Sequence, residues 1–231
     1  MTEKRPSRGR PLHPIRGGLF LAFEGVEGSG KSTQAALLAE DLRQRGFLVD
    51  QAREPGTTRL GERVRSIFLD EAELGIPARS ELFLMLAARA AFVDQVVRPA
   101  LQEGKVLIAD RFELSTLAYQ GAGRGLSIEE VIRCNRFATD SVTPQVTFLL
   151  ELPSEEGVRR QAAAAKRPDR MEREAREFHE QVARGYASLS PRIENVVRIE
   201  ATGSIEEVRQ RVSSALSLRF PETFAGGGVI S

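Results

Sequence analysis

One octapeptide limits this chain more than anything else in it. Gly25-Val26-Glu27-Gly28-Ser29-Gly30-Lys31-Ser32 reads G-x-x-x-x-G-K-S and follows the apolar run Leu19 to Glu24 without a gap. Glycines at that spacing let the backbone turn its N–H groups inward around phosphate oxygens, and a helix starting near Ser32 aims its positive end at the same point. Lys31 adds a mobile positive charge, and the Ser32 hydroxyl suits a Mg²⁺ ion bridging phosphates. Residues Gly25, Val26, Glu27, Gly28, Ser29, Gly30, Lys31, Ser32 and Thr33 are therefore expected to cradle the phosphates of ATP. Composition alone predicts about 0.003 such matches in a chain of this kind. The motif works only between a strand and a helix, which commits the chain to an α/β architecture.

The rest of the sequence agrees. Short β-rich runs at Leu19 to Glu24, Phe47 to Arg53, Val106 to Asp110, Val146 to Leu152 and Val196 to Glu200 alternate with helical patterns. That is the pattern of a five-stranded parallel sheet covered by helices. Ser127 with Glu130 and Ser204 with Glu207 read as capping boxes, and Gly46 and Gly104 read as helix stops. With 231 residues, 41% hydrophobic and 28% charged, the chain suits one domain over residues 19–220. The basic opening 1–18 and the glycine-rich ending 221–231 are expected to be loose tails.

Several function classes drop out. A net charge of +1 gives no overall field toward a nucleic acid polymer or an anionic membrane. The longest apolar runs, Leu19 to Phe23 and Leu82 to Ala88, fall well short of the roughly 20 residues a membrane span needs. One cysteine, Cys134, cannot form an intramolecular disulfide, and two distant histidines, His13 and His179, make a poor zinc site. A reducing cytoplasm is the expected location. Among P-loop proteins, a GTPase would carry N-K-x-D and a transport ATPase an L-S-G-G-Q-like signature, and neither motif occurs.

What remains is a second anionic pocket, as a small kinase needs. Asp110 ends the third strand at the sheet edge where ligands bind, in place to share Mg²⁺ with Ser32. Arg53-Glu54-Pro55-Gly56 puts a guanidinium fork at the end of the second strand. A long helix from about Ser80 to Glu103 carries the stripe Leu82, Met85, Leu86, Arg89, Val93 and Val96. Arg89 interrupts it, either as a structural ion pair or as a substrate ligand. Phe83, Phe92 and Val97 on its other side suggest burial against a second subunit. Arg111, Ser115, Thr116, Tyr119 and Gln120 cluster after the third strand, placed to read a base and sugar.

Taken in order, Phe23 through Gln34, Arg53-Glu54-Pro55-Gly56, Asp110-Arg111 through Ala118-Tyr119-Gln120-Gly121, and Asp169-Arg170-Met171-Glu172 resemble the thymidylate kinase family of the bacterial type. The resemblance implies the nucleoside monophosphate kinase fold and transfer of the γ-phosphoryl group of Mg-ATP to dTMP, a step toward dTTP. It implies that Lys31 and Arg111 serve catalysis, and that Glu27 approaches the acceptor's 3′-hydroxyl and the metal region. Arg53, Pro55 and Gln120 join the dTMP site. Arg111 clamps the acceptor phosphate, Arg89 meets the phosphate or thymine O4, Ser115 and Thr116 touch the base edge, and Tyr119 packs under the deoxyribose. Met85 stands where the family usually places a phenylalanine stacked on thymine.

A lid is expected from Glu155 to about Arg173, with Lys166, Arg167 or Arg170 reaching the γ-phosphate. Ala162 to Ala165 occupies the stretch where bacterial-type lids usually alternate arginines. The resemblance also implies a homodimer built on the 80–103 helix. Two alternatives stay open: a related kinase with a different nucleotide or nucleoside acceptor, and a nucleotide-binding protein without phosphotransfer.

Overall fold

A computed structural model describes residues 13–70, 74–163, 171 and 173–224. Five parallel strands, β1 (Leu19–Gly25), β2 (Val49–Arg53), β3 (Val106–Asp110), β4 (Val146–Glu151) and β5 (Val196–Glu200), form one sheet in the order β2-β3-β1-β4-β5. All seven residues of β1 are buried, as a strand covered on both faces requires. Its side chains alternate between two cores. Leu19, Leu21 and Phe23 pack with α1 (Lys31–Gln44) and α9 (Ile205–Arg219), whereas Phe20 and Ala22 pack with Phe92, Val97 and Phe112 on the opposite face. Register pairs Phe23 with Asp110 and Gly25 with Leu150, so β1, β3 and β4 deliver their ends to one place.

β3 and β5 have the expected limits. β2 begins at Val49 rather than Phe47, because Phe47 belongs to the end of α1. Its N–H donates to Leu42 O at 3.0 Å while Gly46 N–H donates to Arg43 O at 2.9 Å, a Schellman ending with Gly46 at φ 92°. The long helix is α3 (Ala78–Phe92), a π-helical turn (Val93–Val97) and α4 (Arg98–Gln102). It differs from the sequence reading in what it shows to solvent. Phe92 and Val97 are fully buried in this chain's own core, and Phe83 points outward, 61% exposed. Ser204 and Glu207 form a full capping box; Ser127 accepts from Glu130 N–H.

The expected tails are also packed where they are described. His13 N–H donates to Gly46 O and Ile15 N–H to Gly104 O, both at 2.8 Å, so residues 13–18 bind carbonyls at the two helix stops. At the other end α10 (Pro221–Phe224) puts Phe224 into the core, and Arg45 donates to its carbonyl at 2.7 Å. Residues 1–12 and 225–231 lie outside the description. Among the described residues, no helix is long and apolar enough to cross a membrane.

Candidate active site

At the carboxyl edge of the sheet β1 opens into a loop that no side chain but hydrogen would permit at Gly28. Its φ is 74°, and a Cβ there would sit 2.5 Å from Gly157 O. The same close approach fastens the loop to α7 (Ser154–Ala163). Gly30 caps α1 without a side-chain acceptor, which leaves the helix's first N–H groups facing the loop. Lys31 is buried here, its Nζ donating to Gly25 O at 3.1 Å, Val26 O at 2.8 Å and Ser29 Oγ at 3.5 Å. Burial, with the nearby Arg111 charge, lowers its pKa to about 7.

The Ser32 hydroxyl donates to the Asp110 carboxylate, which joins the end of β3 to the start of α1. The next residue, Arg111, has φ 75° and an N–H bonded to Phe23 O at 2.9 Å, so the strand turns sharply and the side chain swings in front of the loop. Its Nη1 donates to Ser115 Oγ and Tyr186 Oη, both at 3.0 Å, and its Nη2 to Tyr119 Oη at 3.3 Å. Glu27 Oε1 lies 3.9 Å from the same guanidinium and accepts from Tyr119 Oη at 3.3 Å. Beneath them the buried Glu24 carboxylate accepts from the N–H groups of Phe112 and Ser115 and from the Ser115 and Tyr186 hydroxyls.

In front of Glu24 and Tyr186 opens a cleft of about 1100 Å³. Its wall includes residues 27–33 of the loop, Asp110, Arg111, Ser115, Tyr119 and Gln120, together with Arg53, Pro55 and Met85, all expected from the sequence. Arg53 is held by Glu62, with Nη2 at 3.0 Å from its carboxylate. Gly25 and Val26 sit behind the wall and contribute their carbonyls to Lys31.

Two expected ligand contacts are not on the wall. Arg89 is fully buried, with Nε at 2.8 and 2.9 Å from the two Glu54 oxygens, Nη1 donating to Thr116 Oγ1 and Asn135 Oδ1, and Nη2 donating to Phe112 O. It is the structural ion pair of the two readings. Thr116 is consumed as its acceptor. Lys166, Arg167 and Arg170, expected in the lid, lie outside the described residues. The flanks of that segment, α7 and α8 (Arg176–Leu189), are helical.

Sequence reasoning missed several groups. Phe68 of α2 (Arg59–Asp70) lines the cleft in one apolar cluster with Met85, so an aromatic ring stands beside the thioether after all. Arg159 and Arg160 reach the wall from α7 and both bind Glu156. Glu24 sits near the end of β1 and Glu54 directly after β2, both at the carboxyl edge of the sheet, and an acid at that place was the available signal. Tyr186, 75 residues from Arg111, gave none.

A phosphate loop with its lysine, a hydroxyl–carboxylate pair, and a second arginine-lined cradle a few ångströms away define a P-loop phosphotransferase with two anionic substrates. A family model described as "Thymidylate kinase" matches residues 23–212. A thymidylate kinase of Fervidobacterium nodosum is 42% identical over 194 residues, covering 84% of this chain and 96% of that protein. One from Synechococcus sp. (strain JA-2-3B'a(2-13)) is 44% identical over 209 residues, 90% and 98% of the two chains. The crystal structure of thymidylate kinase from Ehrlichia chaffeensis superposes with a TM-score of 0.69 at 30% identity, covering 87% of this chain and 99% of its own. The chain belongs to the thymidylate kinase family.

Proposed function

We infer that this chain transfers the γ-phosphoryl group of ATP to dTMP, giving dTDP and ADP. The observation that carries the reading is the meeting of buried Lys31 and half-buried Arg111 on one cleft, where Lys31 opens α1 and its Gly30 cap has no side-chain acceptor. The phosphate loop holds the ATP phosphates, and Arg53 and Arg111 hold the acceptor phosphate. Phe68 and Met85 cover the thymine ring, the thioether through sulfur–aromatic contact. Ser115, Tyr119 and Gln120 line the side where base and sugar lie, with Glu27 toward the 3′-hydroxyl. Arg89 and Thr116 support that wall from behind.

The acceptor phosphate has a second pKa of about 6, so its oxygen is already a nucleophile at neutral pH and needs no general base. A bond forms from that oxygen to Pγ, the bond from Pγ to the β-bridging oxygen breaks, and ADP departs with the electron pair. The protein brings two repelling anions into line and neutralises the transferring group with Lys31 and the arginines. Ser32 and Asp110 are hard oxygen donors in contact with each other, as a Mg²⁺ shared with phosphates requires. When bound, the ion supplies charge neutralisation and alignment of the phosphates. A closing cation over the γ-phosphate comes from Lys166, Arg167 or Arg170, or from Arg159 and Arg160 on the wall. We further propose a cytoplasmic homodimer.

ADP formation from Mg-ATP with dTMP, dUMP, dCMP, UMP and thymidine side by side tests this, with Lys31→Ala as the inactive control. The expected result is a preference for dTMP of at least about tenfold, or 1.4 kcal/mol. Preference for another acceptor overturns the dTMP assignment, and no turnover with any acceptor reduces the chain to a nucleotide binder.

A further inference from the structure

Arg111 faces the cleft, but what fixes its direction lies behind it. The guanidinium sits over the Tyr119 ring, 5.2 Å from its centroid, and Tyr119 stands edge-on to Tyr186 at 6.4 Å. Tyr186 is 3% exposed and does not border the cleft. Its hydroxyl is 3.0 Å from Arg111 Nη1, 2.8 Å from Ser115 Oγ and 3.2 Å from Glu24 Oε2.

The protons can be assigned. Ser115 Oγ is 2.5 Å from Glu24 Oε2 and gives its proton to that carboxylate. Tyr186 then gives its single proton to Ser115 Oγ or to Glu24 Oε2. In both cases its lone pairs are left for Arg111 Nη1, since a guanidinium only donates. Burial pushes the phenol's pKa well above its ordinary value, so it stays neutral and keeps that polarity at any working pH.

The hydroxyl is held in place by helix contact. A Cβ on Gly185 would come within 2.7 Å of Ala122 Cβ, and one on Gly123 within 2.7 Å of the Phe178 ring. Two glycines thus let α8 lie directly against the π-helical turn (Leu117–Gly123) that carries Tyr119 and Gln120. We propose that Tyr186 is a positioning residue for the reaction: it aims the Arg111 guanidinium at the acceptor phosphate and is itself set by Glu24 and by the glycine contact of α8. This rests on the reading of Arg111 as the acceptor clamp.

Steady-state kinetics of Tyr186→Phe, Arg111→Lys and the double variant test it. Loss of a hydrogen bond to a charged group predicts an acceptor KM raised about tenfold in Tyr186→Phe, with the ATP KM within about twofold of wild type. Because Tyr186 acts through Arg111, the double variant is expected to match Arg111→Lys alone. An unchanged acceptor KM in Tyr186→Phe, equal rises in both KM values, or effects that multiply in the double variant would each overturn the inference. If Arg111→Lys leaves the acceptor KM untouched, the clamp reading itself fails, and the inference fails with it. Should Tyr186→Phe not fold, the near-isosteric Glu24→Gln keeps the phenol while weakening the acceptor that orients both hydroxyls. It is expected to give the same selective rise, and no such rise counts against the proposal.

Discussion

Lys31 in the free protein is a cation waiting for its partner. Its three acceptors are neutral, and burial first and the nearby Arg111 second lower its pKa to about 7. Bound phosphates supply the missing negative charge and raise that pKa, so the complex holds more protons than the free protein above pH 7. The sign follows: the Lys31 contribution to ATP affinity is flat below pH 7 and weakens as pH rises above it, approaching tenfold per unit. At pH 8, where free ATP is fully ionised, binding takes up most of a proton at Lys31. Calorimetry of Mg-ATP binding in buffers of different ionisation heat measures this, and an uptake near zero would sink it. At this scale the sequence was readable wherever the backbone made the demand. The spacing of Gly28, Gly30, Lys31 and Ser32 is set by local geometry, and each is where the motif put it. The contacts of Glu24 and Tyr186 were not readable, because their partners come from segments that only the fold brings together.

Arg89 shows the same limit among elements. Its place in the apolar stripe of α3 marked it as an anomaly, but its four partners arrive from three other places: Glu54 after β2, Phe112 and Thr116 around α5 (Glu113–Thr116), and Asn135 of α6 (Ile128–Thr139). Both charges of the Arg89–Glu54 pair are fully out of water. Arg89→Met leaves the Glu54 carboxylate buried without its cation and is expected to destabilise the protein by about 3–5 kcal/mol. Adding Glu54→Gln recovers part of that loss, because an amide costs less than a bare carboxylate to bury. Urea unfolding without substrate measures both, and an Arg89→Met midpoint equal to wild type would contradict the ion-pair assignment. The inner strands β1, β3 and β4 were legible because a doubly covered sheet writes near-continuous apolar runs, which the edge strands β2 and β5 do not carry. The helix faces were less so: Phe92 and Phe83 look alike in sequence, and only the position of the sheet decides which is core.

That distinction moves the face on which the proposed homodimer would form. With Phe92 and Val97 inside, the large apolar side chains exposed among the described residues are Leu60 on α2, Phe83 on α3 and Phe137 on α6, the last 91% exposed, together with Leu74 and, on α9, Ile205 and Leu218. α2 packs on α3 and α3 on α6, so the first three lie on neighbouring helices, away from the core that the sheet organises. Isolated exposed apolar residues are ordinary, but two phenylalanines on adjoining helices are what a self-complementary twofold contact would bury. The same two packed ends that the tail reading missed, Ile15 and Phe224, lie in the core beside α1 and α9, so they belong to the fold rather than to this surface. We therefore expect Phe137→Asp, alone or with Phe83→Asp, to convert a dimer to a monomer while leaving the unfolding midpoint of the isolated chain nearly unchanged, since neither ring contributes to the core. Phe92→Asp is expected to unfold the protein instead, by placing a charge in a fully buried site. Sedimentation equilibrium of wild type and both variants separates these outcomes. A monomeric wild type would remove the interface altogether, and a dimer that survives both surface substitutions would place it on another face.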